Sequence, residues 1–576
     1  MSENQTEYTI TFLPANRTVK VKDGSNVIKA AREAGLHINA SCGGAGVCGK
    51  CRVIVESGEV EGGTSEKLSP EDFENGYRQA CTAEVHQDIT VRIPEETGRQ
   101  KGGLGIDVPE RHRARMHVFD IESVKKEGIF YPPVEKICLE LPKPGAHDNR
   151  SDVGRLMQGL ADQMGKHRMV SGLTVLRKVR RALREKDFLV TATIELPVNE
   201  KSRNYLLNIQ PGCWKHRNFG LAFDIGTTTV YGVLIDLNTG KILAKEFSYN
   251  PQMSYGEDVI TRIIYAEKPK GLDMMQDLVI GAMNEIITRM LKNATPPPGE
   301  EHGPITRDEI NSITIAGNTT MTHLLLKLEP DSIRRSPYVP VSTFFPPLCA
   351  DDLELELPHH CVALLYPAIS SYVGGDIVAG VMGSGMYRTD LLTLFIDVGT
   401  NAEIVIGNKE WLACAACSAG PAFEGGGITH GMRAVEGAIS DFGLNPETLE
   451  PMNITEGDKA PLGICGSGLL IIVATLFEHK VLNQSGKFND SDSPRVREGR
   501  SGMEYVLAWK DECAADHDIV INEVDIENFI RAKGAIFAGI MTLLEQVGLQ
   551  VSDLEQIILA GGFGSYIDLD SAMSVG

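Results

Sequence analysis

Apolar and polar positions alternate over Tyr8 to Phe12 and again over Arg17 to Val21, with Asn16 between them. That period of two predicts paired strands joined by a turn. Ser25 then stands where a helix N-cap belongs, Val27, Ile28 and Ala31 mark one inward face, and Gly35 closes the segment. Residues 96–128 break the pattern: GRQKGGLGIDVPERHRAR is rich in glycine and charge without apolar periodicity, which predicts a flexible linker. Alternation resumes with strands expected at Val134 to Leu141, Asp187 to Leu196 and Tyr205 to Ile209, and a helix at Asp152 to Met164. Another helix carries Lys178, Arg180, Arg181, Arg184 and Lys186, a basic face that is solvated or docks an acidic partner. From Phe219 onward strands and helices alternate to the end. The predicted division is a β-rich domain at 1–95, the linker at 96–128, a small α/β domain at 129–215 and a large unit at 216–576.

Composition narrows the classes of function. A chain of 576 residues is too long for one core. Its formal charge of −21 argues against a dedicated nucleic-acid binder. The longest clean apolar run, Gly468 to Phe477, is about half the ~20 residues that cross a bilayer, so no membrane role is expected. The amino terminus lacks a basic-then-apolar leader, which points to the cytoplasm. Twelve cysteines in that compartment read as thiols or metal ligands rather than a disulfide framework.

Four of them are arranged to say more. Cys42, Cys48 and Cys51 lie on a glycine-rich loop, spaced C-x5-C-x2-C, and Cys81 follows after 29 residues. Three thiolates on one tight loop suit an iron–sulfur cluster held by four cysteines, because glycine lets the backbone wrap closely around it. Structural zinc is the rival, but it draws ligands from two C-x2-C pairs, and the second pair is missing here. The loop is similar to that of 2Fe-2S ferredoxins of the adrenodoxin-like kind. That resemblance implies a β-grasp fold with Cys42, Cys48, Cys51 and Cys81 as ligands.

The large unit repeats itself. Leu221 to Thr229 is an apolar strand ending in Asp224-Ile225-Gly226-Thr227-Thr228, and Leu394 to Asn401 matches it with Asp397-Val398-Gly399-Thr400-Asn401. In each, glycine lets the turn approach a ligand, and amides and hydroxyls cradle phosphate oxygens. Asp224 and Asp397, the candidate catalytic residues, would repel phosphate and therefore suit Mg2+ or its waters. A second pair of segments, Ser312 to Thr320 with Gly317-Asn318 and Gln556 to Gly564 with Gly561-Gly562, also breaks from strand to helix at glycine. The order along the chain predicts two similar α/β lobes facing a cleft. It resembles the ASKHA superfamily of actin, sugar kinases and heat-shock chaperones. The resemblance implies a Mg-ATP site with Gly226, Thr227, Thr228, Gly399, Thr400 and Asn401 at phosphate, Gly561, Gly562 and Gly564 at adenosine, and Gly317 and Asn318 as a hinge. Asp376, Glu424 and the Gly463 to Gly468 segment are further candidates, each balanced between nucleotide contact and packing. Cys414, Cys417, Cys465 and Cys513 read as buried thiols.

Joining a one-electron carrier to an ATPase suggests ATP-driven electron transfer, since raising one electron by about 100 mV costs about 2.3 kcal/mol. The multidomain α/β and α+β arrangement, with Asn250-Pro251-Gln252 ahead of Gly256-x-Asp258-Val259-Ile260, resembles the reductive activators of corrinoid proteins. The resemblance implies reduction of Co(II) to Co(I) on a corrinoid protein of a methyltransferase system, with ATP hydrolysis, an upstream electron donor and a homodimer. It also implies a chain continuing past Gly576, so that the carboxyl terminus is truncated. The competing readings are a small-molecule kinase, a dehydratase activator and an ATP-binding redox sensor.

Overall fold

The computed structural model describes residues 7–34, 36, 38, 51–65, 68–94, 121–165, 169–196, 203–256, 258–295, 303–399, 401–445, 447–564 and 567–576. The chain divides into two units, one of Met1–His117, Gln252–Arg262 and Ile377–Gly576, the other of Val118–Pro251 and Ile263–Asp376.

In the first unit, Glu7–Leu13 and Arg17–Lys22 form the expected hairpin, Tyr8 opposite Val21, with Asn16 at φ 50 in the turn. Ile89–Arg92 adds parallel to Glu7–Leu13, and Arg52–Ser57 and Tyr77–Gln79 complete a five-stranded mixed sheet. The helix Val27–Glu33 buries Val27, Ile28 and Ala31 as its pattern requires. Its cap differs from the expectation. Ser25 is drawn into a short strand with Val85, and the Asn26 side chain accepts the Lys29 amide at 2.9 Å instead. Gly35 lies outside the described residues.

The carboxyl-terminal part of this unit is built on four strands ordered Leu412–Cys417, Ala402–Gly407, Thr393–Val398 and Gln556–Ala560. The first three form an antiparallel meander and the last runs parallel to Thr393–Val398. The apolar run seen in the sequence is the helix Gly466–Glu478, buried through Leu469, Leu470 and Ile472. Among the described residues no helix is long and apolar enough to cross a membrane.

The second unit holds two sheets. A four-stranded one, ordered Met169–Ser171, Asn204–Pro211, Leu189–Glu195 and Val134–Glu140, shares a core with the helices Asp152–Met164 and Leu173–Glu185. The end of the predicted linker is ordered: Ile121–Lys126 is a helix with Glu122 in its first turn and Lys125 and Lys126 in its last, matching the helix dipole. Linker residues 96–120 lie outside the described residues. One cysteine pair departs from the thiol reading. At Gly212, φ 86, the chain turns back, the Trp214 amide donates to Thr191 Oγ1 at 2.8 Å, and Cys213 meets Cys138 in a disulfide. A pairing across 75 residues leaves no local trace in sequence.

The other sheet has six strands, in the order Ile242–Tyr249, Thr229–Asp236, Phe219–Ile225, Ile310–Gly317, Val362–Leu365 and Leu348–Cys349. Its first four repeat the carboxyl-terminal pattern of an antiparallel meander followed by a parallel strand. Buried polar groups join the two sheets: Lys136 Nζ donates to Arg217 O at 2.8 Å, Asn218 Nδ2 to Val134 O at 2.9 Å, and Arg217 pairs with Glu309. Burial lowers Lys136 to about 8, partly opposed by the Glu309 charge.

Candidate functional site

The thiols come first. Cys51 immediately precedes the strand Arg52–Ser57, and Cys81 follows Tyr77–Gln79 after one residue. These strands pair antiparallel with Arg52 opposite Gln79, and the Ala80 amide donates to Cys51 O at 2.8 Å. The sheet register therefore brings together two cysteines that the sequence separates. Their Sγ atoms are 3.3 Å apart, and the residues are 0% and 7% exposed. That spacing is far beyond the about 2.05 Å of a disulfide. Two adjoining buried thiols, unbridged, fit one edge of a cluster held by four cysteines. Cys42 and Cys48 lie outside the described residues.

The first phosphate-loop candidate closes the hairpin Phe219–Ile225 and Thr229–Asp236. The Gly226 amide donates to Thr229 O at 2.9 Å, and a Cβ on Gly226 would lie 2.8 Å from that oxygen, so the turn demands glycine. Asp224 is exposed near the strand end, opposite Tyr231. Two asparagines brace the loop. Asn250 Nδ2 donates to Gly226 O at 2.9 Å, and the Asn250 amide to Thr228 O at 2.8 Å. Asn318 Nδ2 donates to Thr227 Oγ1 at 3.2 Å. Asn318 also caps the helix Thr319–Leu325 by accepting the Met321 amide at 2.9 Å. The parallel register places Gly317 beside Ile225, which is why the Ala-Gly-Asn turn meets the Gly-Thr-Thr turn. Gly374 packs against this cap: a Cβ there would lie 2.5 Å from Asn318 Cα. Asn250 was visible in the sequence only as part of a family pattern, and its bond to a loop 24 residues away was not.

The second candidate has the same build. The Gly399 amide donates to Asn401 O at 2.9 Å in the turn between Thr393–Val398 and Ala402–Gly407, while Thr400 lies outside the described residues. Asp397 stands opposite Ala560, and Gly561, at φ 87, leaves room for it: a Cβ there would lie 2.3 Å from Asp397 Oδ1. Burial pushes Asp397 up to about 6, a value at which a nearby cation would hold it ionised. Glu424 Oε1 comes within 4.0 Å of where a Gly399 Cβ would be. Gly466, at the start of the helix Gly466–Glu478, is wedged against Phe423, whose carbonyl oxygen would be 1.7 Å from any Cβ. Phe423 stacks on Phe563 at 4.9 Å. Asp397, Gly399, Glu424, Gly466 and the Gly561–Gly564 turn thus gather in one unit. The Phe423–Phe563 stack carried no signal in sequence.

The family pattern after Asn250 also has physical content. Arg262, fully buried, donates through Nε to Gly256 O at 2.8 Å and through Nη1 to Gln252 at 3.3 Å. Asp258 caps the helix Val259–Ala266 by accepting the Thr261 amide at 2.8 Å.

Comparison with known proteins covers nearly the whole chain. A 2Fe-2S iron–sulfur cluster binding domain matches residues 10–86, the RACo linker region 123–216, the RACo middle region 219–389 and the C-terminal ASKHA domain of RACo 391–576. The corrinoid activation enzyme RamQ of Eubacterium limosum is 30% identical, over 97% of this chain and 87% of its own. A [Co(II) methylated amine-specific corrinoid protein] reductase of Methanosarcina barkeri is 25% identical over 62% of this chain and 65% of its own. A solved reductive activator for a corrinoid, iron-sulfur protein superposes with a TM-score of 0.69 at 39% identity, covering 98% of this chain and 88% of that one. With a cluster-binding domain ahead of three consecutive RACo regions, this chain belongs to the RACo family of corrinoid reductive activators.

Proposed function

We infer that this chain reductively activates a corrinoid protein of a methyltransferase system, returning Co(II) to Co(I) at the expense of ATP. What carries the reading is the coexistence, in one chain, of a buried thiol pair fit for a cluster and two Asp-x-Gly-Thr hairpins of identical strand order. When bound, a 2Fe-2S cluster takes up and releases one electron. Cys42, Cys48, Cys51 and Cys81 are the proposed ligands. Gly226, Thr227 and Thr228, and Gly399, Thr400 and Asn401, present amides and hydroxyls to phosphate. Asp224 and Asp397 hold Mg2+ or its waters, and Gly561, Gly562 and Gly564 receive adenosine. The proposed division is 1–95, 96–128, 129–215 and 216–576, with the segment 96–128 tethering the cluster domain. An upstream reductant, a homodimeric state and a cytoplasmic location complete the proposal.

The test follows cobalt by its visible absorption on an added corrinoid protein, under a reductant, with and without Mg-ATP. Reduction should proceed only with nucleotide. ATP hydrolysis without any change at cobalt would refute the reading.

A further inference from the structure

A donor set in the second unit is used by neither the cluster nor the nucleotide reading. Cys349 ends the short strand Leu348–Cys349, and the turn Ala350–Leu353 follows at once. The chain returns through a tight turn, with the Cys361 amide donating to Pro358 O at 2.8 Å, into the strand Val362–Leu365. These strands pair antiparallel, Cys349 opposite Val362, and the Ala350 amide donates to Cys361 O at 2.9 Å. The knuckle they form brings Cys349, Asp351 and His359 together, with one ligand atom of each within 4.8 Å of the others. His359 Nδ1 lies 3.0 Å from Asp351 Oδ2.

An ordinary surface ion pair accounts for His359 and Asp351 alone. It does not account for the thiol held with them. Thiolate, imidazole and carboxylate together select a borderline cation over the hard Mg2+ and Ca2+, which take oxygen donors. We propose that Cys349, Asp351 and His359 bind one Zn2+ per chain, bracing the knuckle between the strands Leu348–Cys349 and Val362–Leu365. Three protein donors leave the fourth tetrahedral position to water.

The experiment uses the full chain with its iron–sulfur cluster fully assembled, iron being counted so that no amino-terminal thiol is open to zinc. ZnCl2 is added, excess is removed by dialysis, and retained zinc is measured. One zinc per chain is expected, with one sulfur neighbour at about 2.3 Å by zinc-edge X-ray absorption. Cys349→Ser and His359→Gln should each abolish retention, and Asp351→Asn should weaken it at least tenfold, with iron content and circular dichroism unchanged. ZnCl2 should raise the Tm of the parent, raise that of Asp351→Asn less, and leave Cys349→Ser and His359→Gln unchanged. Zinc without a sulfur neighbour, equal retention by Cys349→Ser and His359→Gln, or none in the parent would each overturn the proposal.

Discussion

Asp397 carries a carboxyl that burial pushes from an ordinary 3.8 to about 6. A folded value above the unfolded one gives stability that is fully present below about pH 3.8 and lost as pH rises through about 6. For the nucleotide-free protein, Asp397→Asn should therefore raise Tm at pH 8 while leaving it little changed at pH 4. The gain corresponds to at most about 3 kcal/mol. A variant whose Tm shifts equally at both pH values would show that Asp397 is not the group responsible. At the cluster end, Cys81→Ser should remove the visible 2Fe-2S spectrum, because it takes away half of a thiol pair 3.3 Å apart. An intact spectrum in that variant would dismiss the ligand role. Spacing marked Cys81 as a candidate and the ferredoxin resemblance named it a ligand, while its meeting with Cys51 comes from strand register. Asn26 as the helix cap was not legible, because Ser25 satisfies the same local rule and only its pairing with Val85 removes it from the role.

At the scale of elements, the two hairpins were readable because each is a short local pattern: an apolar strand, a glycine turn, a second strand. Asp224→Ala should abolish ATP hydrolysis with iron content retained. Undiminished hydrolysis would contradict the phosphate-loop assignment. What locality concealed is how the loops are held. Asn250 and Asn318 brace the first loop from 24 and 91 residues away. The buried Arg217–Glu309 pair, between segments 92 residues apart, was equally silent in sequence. Glu309→Ala takes the carboxylate from the buried Arg217 cation and leaves it the Gly303 and Pro304 carbonyls, so a loss of about 3–5 kcal/mol is expected by denaturant unfolding. A change under about 1 kcal/mol would mean that solvent or another group satisfies Arg217.

For the whole molecule, the functions are carried by separate regions, and their separation is testable. Removing iron with a chelator under reducing conditions should end ATP-dependent cobalt reduction while leaving nucleotide binding within about twofold. Loss of nucleotide affinity in parallel would show that the cluster is needed for the ATP site to form.

Sequence by itself determined the class of chemistry. Thiol spacing, the repeated Asp-x-Gly-Thr turn and the order of regions are properties of short segments, each governed by backbone freedom and residue type over a few positions. Tertiary structure alone decided which distant groups meet: Cys51 with Cys81 through strand register, Gly226 with Asn250, and Cys138 with Cys213. Those encounters depend on how strands align across tens of residues, and alignment is set by the packing of whole sheets, which no local pattern records.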